Sequence, residues 1–272
     1  MEEHPELNVP AAAKPLADAV EFTHPDFVLR CWHEHFWYSY DRGRTWQGPF
    51  ALGTFGMSSK LTARTDYSII GPREALLFIS AEVAGVQAGR YKDHAFCART
   101  ADGGRSFQLV SWINGEPRSI RAAMPATVRV SATELVTVLR RRFDIAPGEA
   151  HCWLDAFGSQ DNGRTWQFLS RVAYTDLGKH NGNPPSLVRL QNGDLCVTYG
   201  FRAPPYGMRT KVSSDHGRTW GPEVMLRDDA ATWDFGYPRS VVRPDGKVVN
   251  VYYYTTRERP EQHIAATIWN PR

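Results

Sequence analysis

Two short stretches of the chain set polar, ionisable side chains three residues apart, each just ahead of a proline. One is Asp234-Phe235-Gly236-Tyr237-Pro238 and the other is His180-Asn181-Gly182-Asn183-Pro184. An imidazole and a carboxyl group can pass protons in water, and a phenol, with a pKa near 10, needs a neighbouring base to act at neutral pH. Tyr237, Asp234, His180 and a further acid, Glu82, are therefore the candidate catalytic residues. A His/Tyr pair equally suits proton abstraction in an elimination. Groups suited to holding a polar ligand are Lys60, Arg121, Arg140, Asn183, Tyr199, Arg202, Tyr206 and Arg239. Several arginines at one mouth suit a carboxylate or sulfate, because the guanidinium fork binds such anions in a bidentate manner. The alternative for each arginine is an ion pair with an acid on a neighbouring element.

Residues this far apart need a repeated scaffold to meet, and the chain contains one. Ser39-Tyr40-Asp41-Arg42-Gly43-Arg44-Thr45-Trp46 is written again as Ser159-Gln160-Asp161-Asn162-Gly163-Arg164-Thr165-Trp166 and as Ser213-Ser214-Asp215-His216-Gly217-Arg218-Thr219-Trp220. A weaker copy runs Thr100-Ala101-Asp102-Gly103-Gly104-Arg105-Ser106-Phe107. Copies spaced roughly 60 residues apart in a strand-rich chain imply one sheet per repeat. An Asp carboxylate can accept backbone N–H groups a few residues on and close a turn, Gly supplies the positive φ, and Trp returns apolar surface to the sheet. Each copy offers one Asp, whereas a metal site needs several converging ligands, so the repeat is a turn and no metal is expected.

Between these turns, apolar and polar residues alternate as strands do. A first unit spans Phe27–Trp32 and His35–Ser39. A second opens at Met57–Leu61 and continues through Ala75–Ser80 and His94–Arg99. The third holds Met124–Val130 and Glu134–Arg140, and the fourth Asn183–Leu190 and Leu195–Gly200. The fifth holds Gly236–Val242, Val248–Tyr254 and His263–Trp269, with no copy of the repeated turn. Residues 1–20 carry no period and form a tail or an irregular closing segment, leaving 21–272 as one domain.

The repeated turns resemble the Asp-box, or BNR repeat, of the sialidase-like β-propellers, over a span from about Phe27 to Trp269. The resemblance implies an all-β, sialidase-like β-propeller, with five recognisable blades of an architecture that usually has six. In an up-and-down blade, the strand 1–2 and 3–4 turns share one face, and the 2–3 loops and blade-to-blade links share the other. The repeated turns occupy the first face, so long polar loops on the second carry function. Adjacent blades bring equivalent positions side by side, so Tyr237, Asp234 and His180 are expected in one pocket opposite the boxes.

Residue by residue, Tyr237 stands where the family has its Tyr nucleophile. No Arg-Ile-Pro segment occurs, the family Glu is replaced around Ala123-Met124-Pro125, and no Arg opens the fourth unit at Asn183-Pro184-Pro185. The resemblance implies a carbohydrate ligand, including an anionic one, and an exo-acting glycoside hydrolase on an acidic or deoxy sugar with a non-standard catalytic set. A non-catalytic glycan-binding propeller and a polysaccharide lyase using the His/Tyr pair are the alternatives.

Composition narrows the partners. The 272 residues carry 32 basic and 29 acidic side chains, a net charge of +3, and 12% aromatics including nine Trp. That small, unclustered excess gives no footprint for nucleic acid. No run approaches a membrane span, and no cofactor motif is present. Cys31, Cys97, Cys152 and Cys196 lie far apart in apolar runs, as buried free thiols do. No basic-then-apolar leader opens the sequence, so the expectation is a cytoplasmic protein, or a secreted one should the N-terminus be incomplete.

Overall fold

Each alternating run becomes a strand, and consecutive strands pair antiparallel in a computed structural model that describes residues 12–57, 60–62, 64–82, 93–115 and 120–271. The first sheet holds β1 (Val28–Trp32), β2 (His35–Ser39) and β3 (Gln47–Ala51). The second holds β4 (Tyr67–Gly71), β5 (Glu74–Glu82), β6 (Asp93–Thr100) and β7 (Gln108–Trp112). The third runs β8 (Arg121–Arg129), β9 (Leu135–Ala146), β10 (Glu149–Ser159) and β11 (Gln167–Asp176). The fourth runs β12 (Ser186–Arg189), β13 (Leu195–Phe201), β14 (Gly207–Ser213) and β15 (Val224–Arg227). The fifth holds β16 (Gly236–Val242), β17 (Val248–Tyr254) and β18 (His263–Trp269). Successive sheets pack face to face as the five blades of a β-propeller.

Each box is the turn between the third and fourth strands of its blade. In the third blade the Asp161 carboxylate accepts from Ser159 Oγ at 2.8 Å, Arg164 N at 3.0 Å, Thr165 N at 2.9 Å and Thr165 Oγ1 at 2.7 Å. Desolvation pulls this carboxyl upward, but the donors from Thr165, Ser159 and Arg164 outweigh it and hold it at about 2. The same turn also joins blades. Trp166 Nε1 donates to Ser111 Oγ on β7, and Ser111 Oγ donates to Gly163 O. One blade on, Trp220 Nε1 donates to Ser170 Oγ on β11, which donates to Gly217 O. Asn162 and His216, in left-handed conformation at φ 58° and 59°, reach back to Arg129 and Glu134 of the 1–2 strand pair. The box is thus a staple within a blade and a rivet between blades.

The core lies between sheets. Leu29, Phe36, Leu77, Ile79 and Phe96 fill the space between the first and second blades. Val136, Leu154, Leu187, Val197 and Tyr199 fill that between the third and fourth. The four cysteines are free and buried. From residue 12 the N-terminal segment follows the outer side of β3, with Lys14 N donating to Pro49 O at 2.8 Å, and then crosses the box of the second blade, where Val20 N donates to Gly103 O. Residues 1–11 lie outside the described residues.

Two features depart from the sequence reading. The second blade opens at Tyr67–Gly71, not at Met57–Leu61, where Leu61 makes only an isolated bridge to Ala81; the turn after Gly71 sets the hairpin register with β5. In the first blade the box joins β2 to β3, so among the described residues that blade lacks an inner strand and the fifth lacks an outer one. Among the described residues the first and fifth sheets share no extensive packing, and one face of the fifth shows Val241, Val251, Ile264 and Ile268 to solvent. No helix among the described residues is long and apolar enough to cross a membrane.

Candidate functional site

The inner strands of the third and fifth blades begin alike. Met124-Pro125 and Tyr237-Pro238 place a non-glycine residue at φ 53° directly before proline, and Pro184-Pro185 holds the equivalent place between them. Such a backbone is strained for a side-chain-bearing residue and persists only when its surroundings hold it. At Tyr237 the clamp is Asn183, fully buried one blade away. Its Oδ1 accepts from Tyr237 N at 3.2 Å and Gly200 N at 3.3 Å, and its Nδ2 donates to Phe235 O at 2.9 Å. Gly236, at φ 114°, presses so closely on the Asn183 amide that no Cβ fits there. The resulting turn directs the Tyr237 ring to the centre of the propeller. There Tyr237, Arg64, Met124 and Arg239, with the four prolines of these strand starts, line a cavity of about 50 Å3.

Arginines converge on that phenol. Arg140, buried on β9, donates to the Tyr237 hydroxyl at 3.3 Å, to the Met124 thioether at 3.4 Å and to the backbone carbonyls of Asn181 and Gly182. The Arg64 guanidinium lies 4.4 Å from the Tyr237 ring centre and that of Arg202 lies 5.7 Å from it. Burial alone would raise the Tyr237 phenol, but the charges of Arg140 and Arg64, the Arg140 hydrogen bond and the charge of Arg202 leave it below the usual phenol value. Burial, with the charge of Arg121 adding to it, brings Arg140 itself down to about 10. Among the described residues no carboxylate pairs with Arg140; its partners are carbonyls, a thioether and the phenol.

Asp234 sits one hydroxyl away. Tyr253 OH donates to Asp234 Oδ1 at 2.6 Å and Gln262 Nε2 to Oδ2 at 2.8 Å, while Arg202 Nη2 donates to Tyr253 OH at 2.9 Å and lies 3.8 Å from Asp234. The Tyr237 and Tyr253 rings are 5.9 Å apart. His180 faces another way. Its ring stacks on Trp233 at 4.5 Å between centres and 9° between planes, its backbone N–H donates to Asp176, and burial lowers the imidazole pKa. His180 and Trp233 line a separate groove of about 630 Å3 together with Asn181, Lys179, Arg142 and the Asp144–Gly148 loop of the third blade.

The expected single pocket is therefore two neighbouring spaces. Tyr237 belongs to the central cavity, His180 to the groove, and Arg202 and Asp234 stand between them. Six further residues do not stand where they were expected. Asn183 is wholly buried and its side-chain amide is taken up by Tyr237 N, Gly200 N and Phe235 O, so it holds backbone and not a ligand. Tyr199 is buried in the core between the third and fourth blades, with its hydroxyl donating to Glu223 at 2.5 Å. Arg121 is buried against Asp93 at 2.5 Å, the ion pair that was its alternative reading. Tyr206 packs against the apolar cluster of Phe235 and Tyr254. Glu82 and Lys60 are exposed, joined by Glu82 N donating to Lys60 O at 2.9 Å, and line neither space. Arg239 does line the central cavity. Among the described residues no group of three or more His, Cys, Asp or Glu side chains could hold a metal.

The sequence reading missed Arg64, Trp233 and Tyr253. Tyr253 was readable: in Tyr252-Tyr253-Tyr254 the outer two are buried, so alternation turns the middle ring the other way. Arg64 lies ahead of β4, outside any periodic run, and no pattern marked it.

Repeated Asp-box turns, antiparallel sheets and an arginine-lined centre around a tyrosine define a sialidase-like β-propeller. The family model of BNR repeat-like domains matches residues 26–249, and the chain belongs to that family. No curated protein matches it. Among solved structures, a protein of unknown function from Dyadobacter fermentans is 22% identical with a TM-score of 0.68, covering 88% of this chain and 64% of its own. An α-L-arabinofuranosidase of Fusarium graminearum, solved with arabinobiose, is 14% identical with a TM-score of 0.55, covering 87% of this chain and 72% of its own. An intramolecular trans-sialidase from Ruminococcus gnavus, in complex with oseltamivir carboxylate, is 16% identical with a TM-score of 0.56, covering 87% and 50%. The chain thus spans between half and three quarters of the length of these structures, and the likeness is one of fold.

Proposed function

We propose that the chain acts on a carbohydrate whose terminal unit carries an anionic group, as an exo-acting glycoside hydrolase. The observation behind this reading is Arg140, a buried guanidinium facing Tyr237 with no carboxylate partner among the described residues. A buried charge left unpaired is costly, and an anionic ligand group would supply the missing partner. Arg64 and Arg202 add to the same positive centre. The fold neighbours solved with arabinobiose and with an inhibitor carboxylate agree with a sugar ligand.

In this reading the Tyr237 phenol, lowered by the arginines, first gives up its proton to solvent, and the phenolate oxygen then bonds to the anomeric carbon as the bond from that carbon to the leaving oxygen breaks. The leaving oxygen takes its proton by way of the Asp234 carboxyl group. Water then attacks the glycosyl-tyrosine, gives its proton to Asp234 and frees the phenol oxygen. Met124 occupies the place from which a family Glu would act, so the arginines, not a base, lower the phenol. That same Met124 favours a second reading, a glycan-binding propeller without turnover.

One experiment separates them: purified protein incubated with 4-nitrophenyl glycosides of uronic acids, neutral sugars and sialic acid, scored for dye release and for binding. Dye from a uronide, lost in Tyr237→Phe, supports hydrolysis; sialic acid glycosides are expected to stay intact. Tight binding of acidic glycosides with no release selects the second reading. Preference for neutral glycosides overturns both.

A further inference from the structure

The central cavity beside Tyr237 measures about 50 Å3, against the roughly 10–15 Å3 that one water molecule needs, so it has room for a group of a few atoms such as a carboxylate and not for a sugar ring. A sugar ring whose anionic group enters there must itself lie outside. The adjoining space is the groove beside Trp233, whose volume of about 630 Å3 falls within the 300–1,000 Å3 typical of ligand sites, about the middle of that range.

The two spaces have separate linings, linked by arginines that reach both. Arg140 donates to Asn181 O while Arg142 donates to Asn181 Oδ1, so one residue is held from the cavity side by the first arginine and from the groove side by the second. Arg202 lies 5.7 Å from the Tyr237 ring centre and 5.5 Å from that of Trp233. Trp233 is 40% exposed, stacked flat on His180 and contacted by Arg202, an aromatic plate supported by polar neighbours. Ile145, 52% exposed, lies on the opposite lip. Lys179 is exposed on the groove wall, and Arg142 is occupied by Asp144.

We infer that this groove is a second carbohydrate subsite, taking the unit next to the terminal acidic one, so that an oligosaccharide of at least two units is favoured over a simple glycoside. The inference rests on the acidic-sugar reading of the mouth. A pyranose or furanose ring presents C–H faces that stack on an indole, and the ring hydroxyls meet the Asn181 and Lys179 side chains at the rim. Binding energy from this remote unit would orient the scissile bond at Tyr237.

The test uses galacturonic acid and its linear di- and trisaccharides, titrated calorimetrically into the full chain, Trp233→Ala and Arg140→Gln. The expected result is about a tenfold or greater gain in affinity from monosaccharide to disaccharide in the unsubstituted protein, equivalent to about 1.4 kcal/mol. Trp233→Ala removes that gain and leaves monosaccharide binding as it was, with its melting temperature unchanged; Arg140→Gln weakens every length alike. Equal affinity for all lengths, or a gain that survives Trp233→Ala, overturns the subsite while the mouth reading stands. Absence of binding at any length overturns both.

Discussion

Arg140 Nη1 stands 3.3 Å from the Tyr237 hydroxyl, one hydrogen bond joining the third blade to the fifth across the mouth. The charges around that phenol act against its burial and win. Its titration is accordingly the property that reports on the site.

A phenol whose pKa is depressed on folding adds stability only above the unfolded value of about 10, and that contribution is lost as pH falls through the folded value. At neutral pH it adds none, so the effect is spectroscopic. A near-ultraviolet absorbance titration of the protein minus Tyr237→Phe should show one phenol ionising below pH 10, moved upward by Arg140→Gln. A difference curve centred at or above 10 would contradict the electrostatic picture of the mouth.

Asn183→Ala should leave Tyr237 N, Gly200 N and Phe235 O without their partner and lower stability by about 1–3 kcal/mol. Because those bonds hold Tyr237 at φ 53°, the depressed phenol titration should be lost as well. Chemical denaturation and the same absorbance titration check the two halves. An intact titration in a folded variant would mean that the proline after Tyr237 suffices to hold it.

Asp161→Ala removes four hydrogen bonds from one box and should cost about 1–3 kcal/mol, with ligand binding unchanged. With its carboxyl held at about 2, Asp161 adds stability that is complete above the unfolded value of about 4 and is lost as pH falls from there towards 2. The gap between the variant and the parent should therefore narrow in acid. A variant with parental melting temperature but no ligand binding would remove the box from the scaffold and place it in the site.

Asp66 carries the opposite sign. Burial pushes its carboxyl up to about 7, only partly offset by Thr127 and by the charge of Arg239, and its Oδ2 is buried without a hydrogen-bond partner. The folded chain then holds a proton that the unfolded chain has released, so stability falls as pH rises from about 4 to about 7. Asp66→Asn should flatten that fall, read from melting temperatures across the range. An unchanged slope would show that Asp66 is ionised in the fold.

The scaffold was legible because its signals are local. A box is closed by an Asp and donors within four residues, and period-two alternation fixes which side of a strand is buried, so the blades and box turns could be read directly. The site is assembled across blades, and there the reading frayed. Asp234 and Tyr237 were found through their spacing before Pro238, yet the similar spacing of His180 and Asn183 led to different outcomes. His180 turns into the groove, while Asn183 is swallowed as a backbone clamp. Arg121 and Arg140 illustrate the same limit. Both are buried arginines near one mouth, and only the three-dimensional position of Asp93 decides which is neutralised.

The rivets formed by the boxes give the molecule a mechanical direction. Box residues of the third and fourth blades each grip the blade before them, whereas the fifth blade has no box and is held mainly by its inner strand β16 against β12 and β13. Such an arrangement behaves as an arch and not as a hoop: the blades follow one another in order, and among the described residues no strand of the fifth packs extensively back on the first. The mouth draws Arg140 from the middle of the arch and Tyr237 from its end, so a ligand gripping both would act as a keystone, reinforcing the single hydrogen bond by which the chain already ties them.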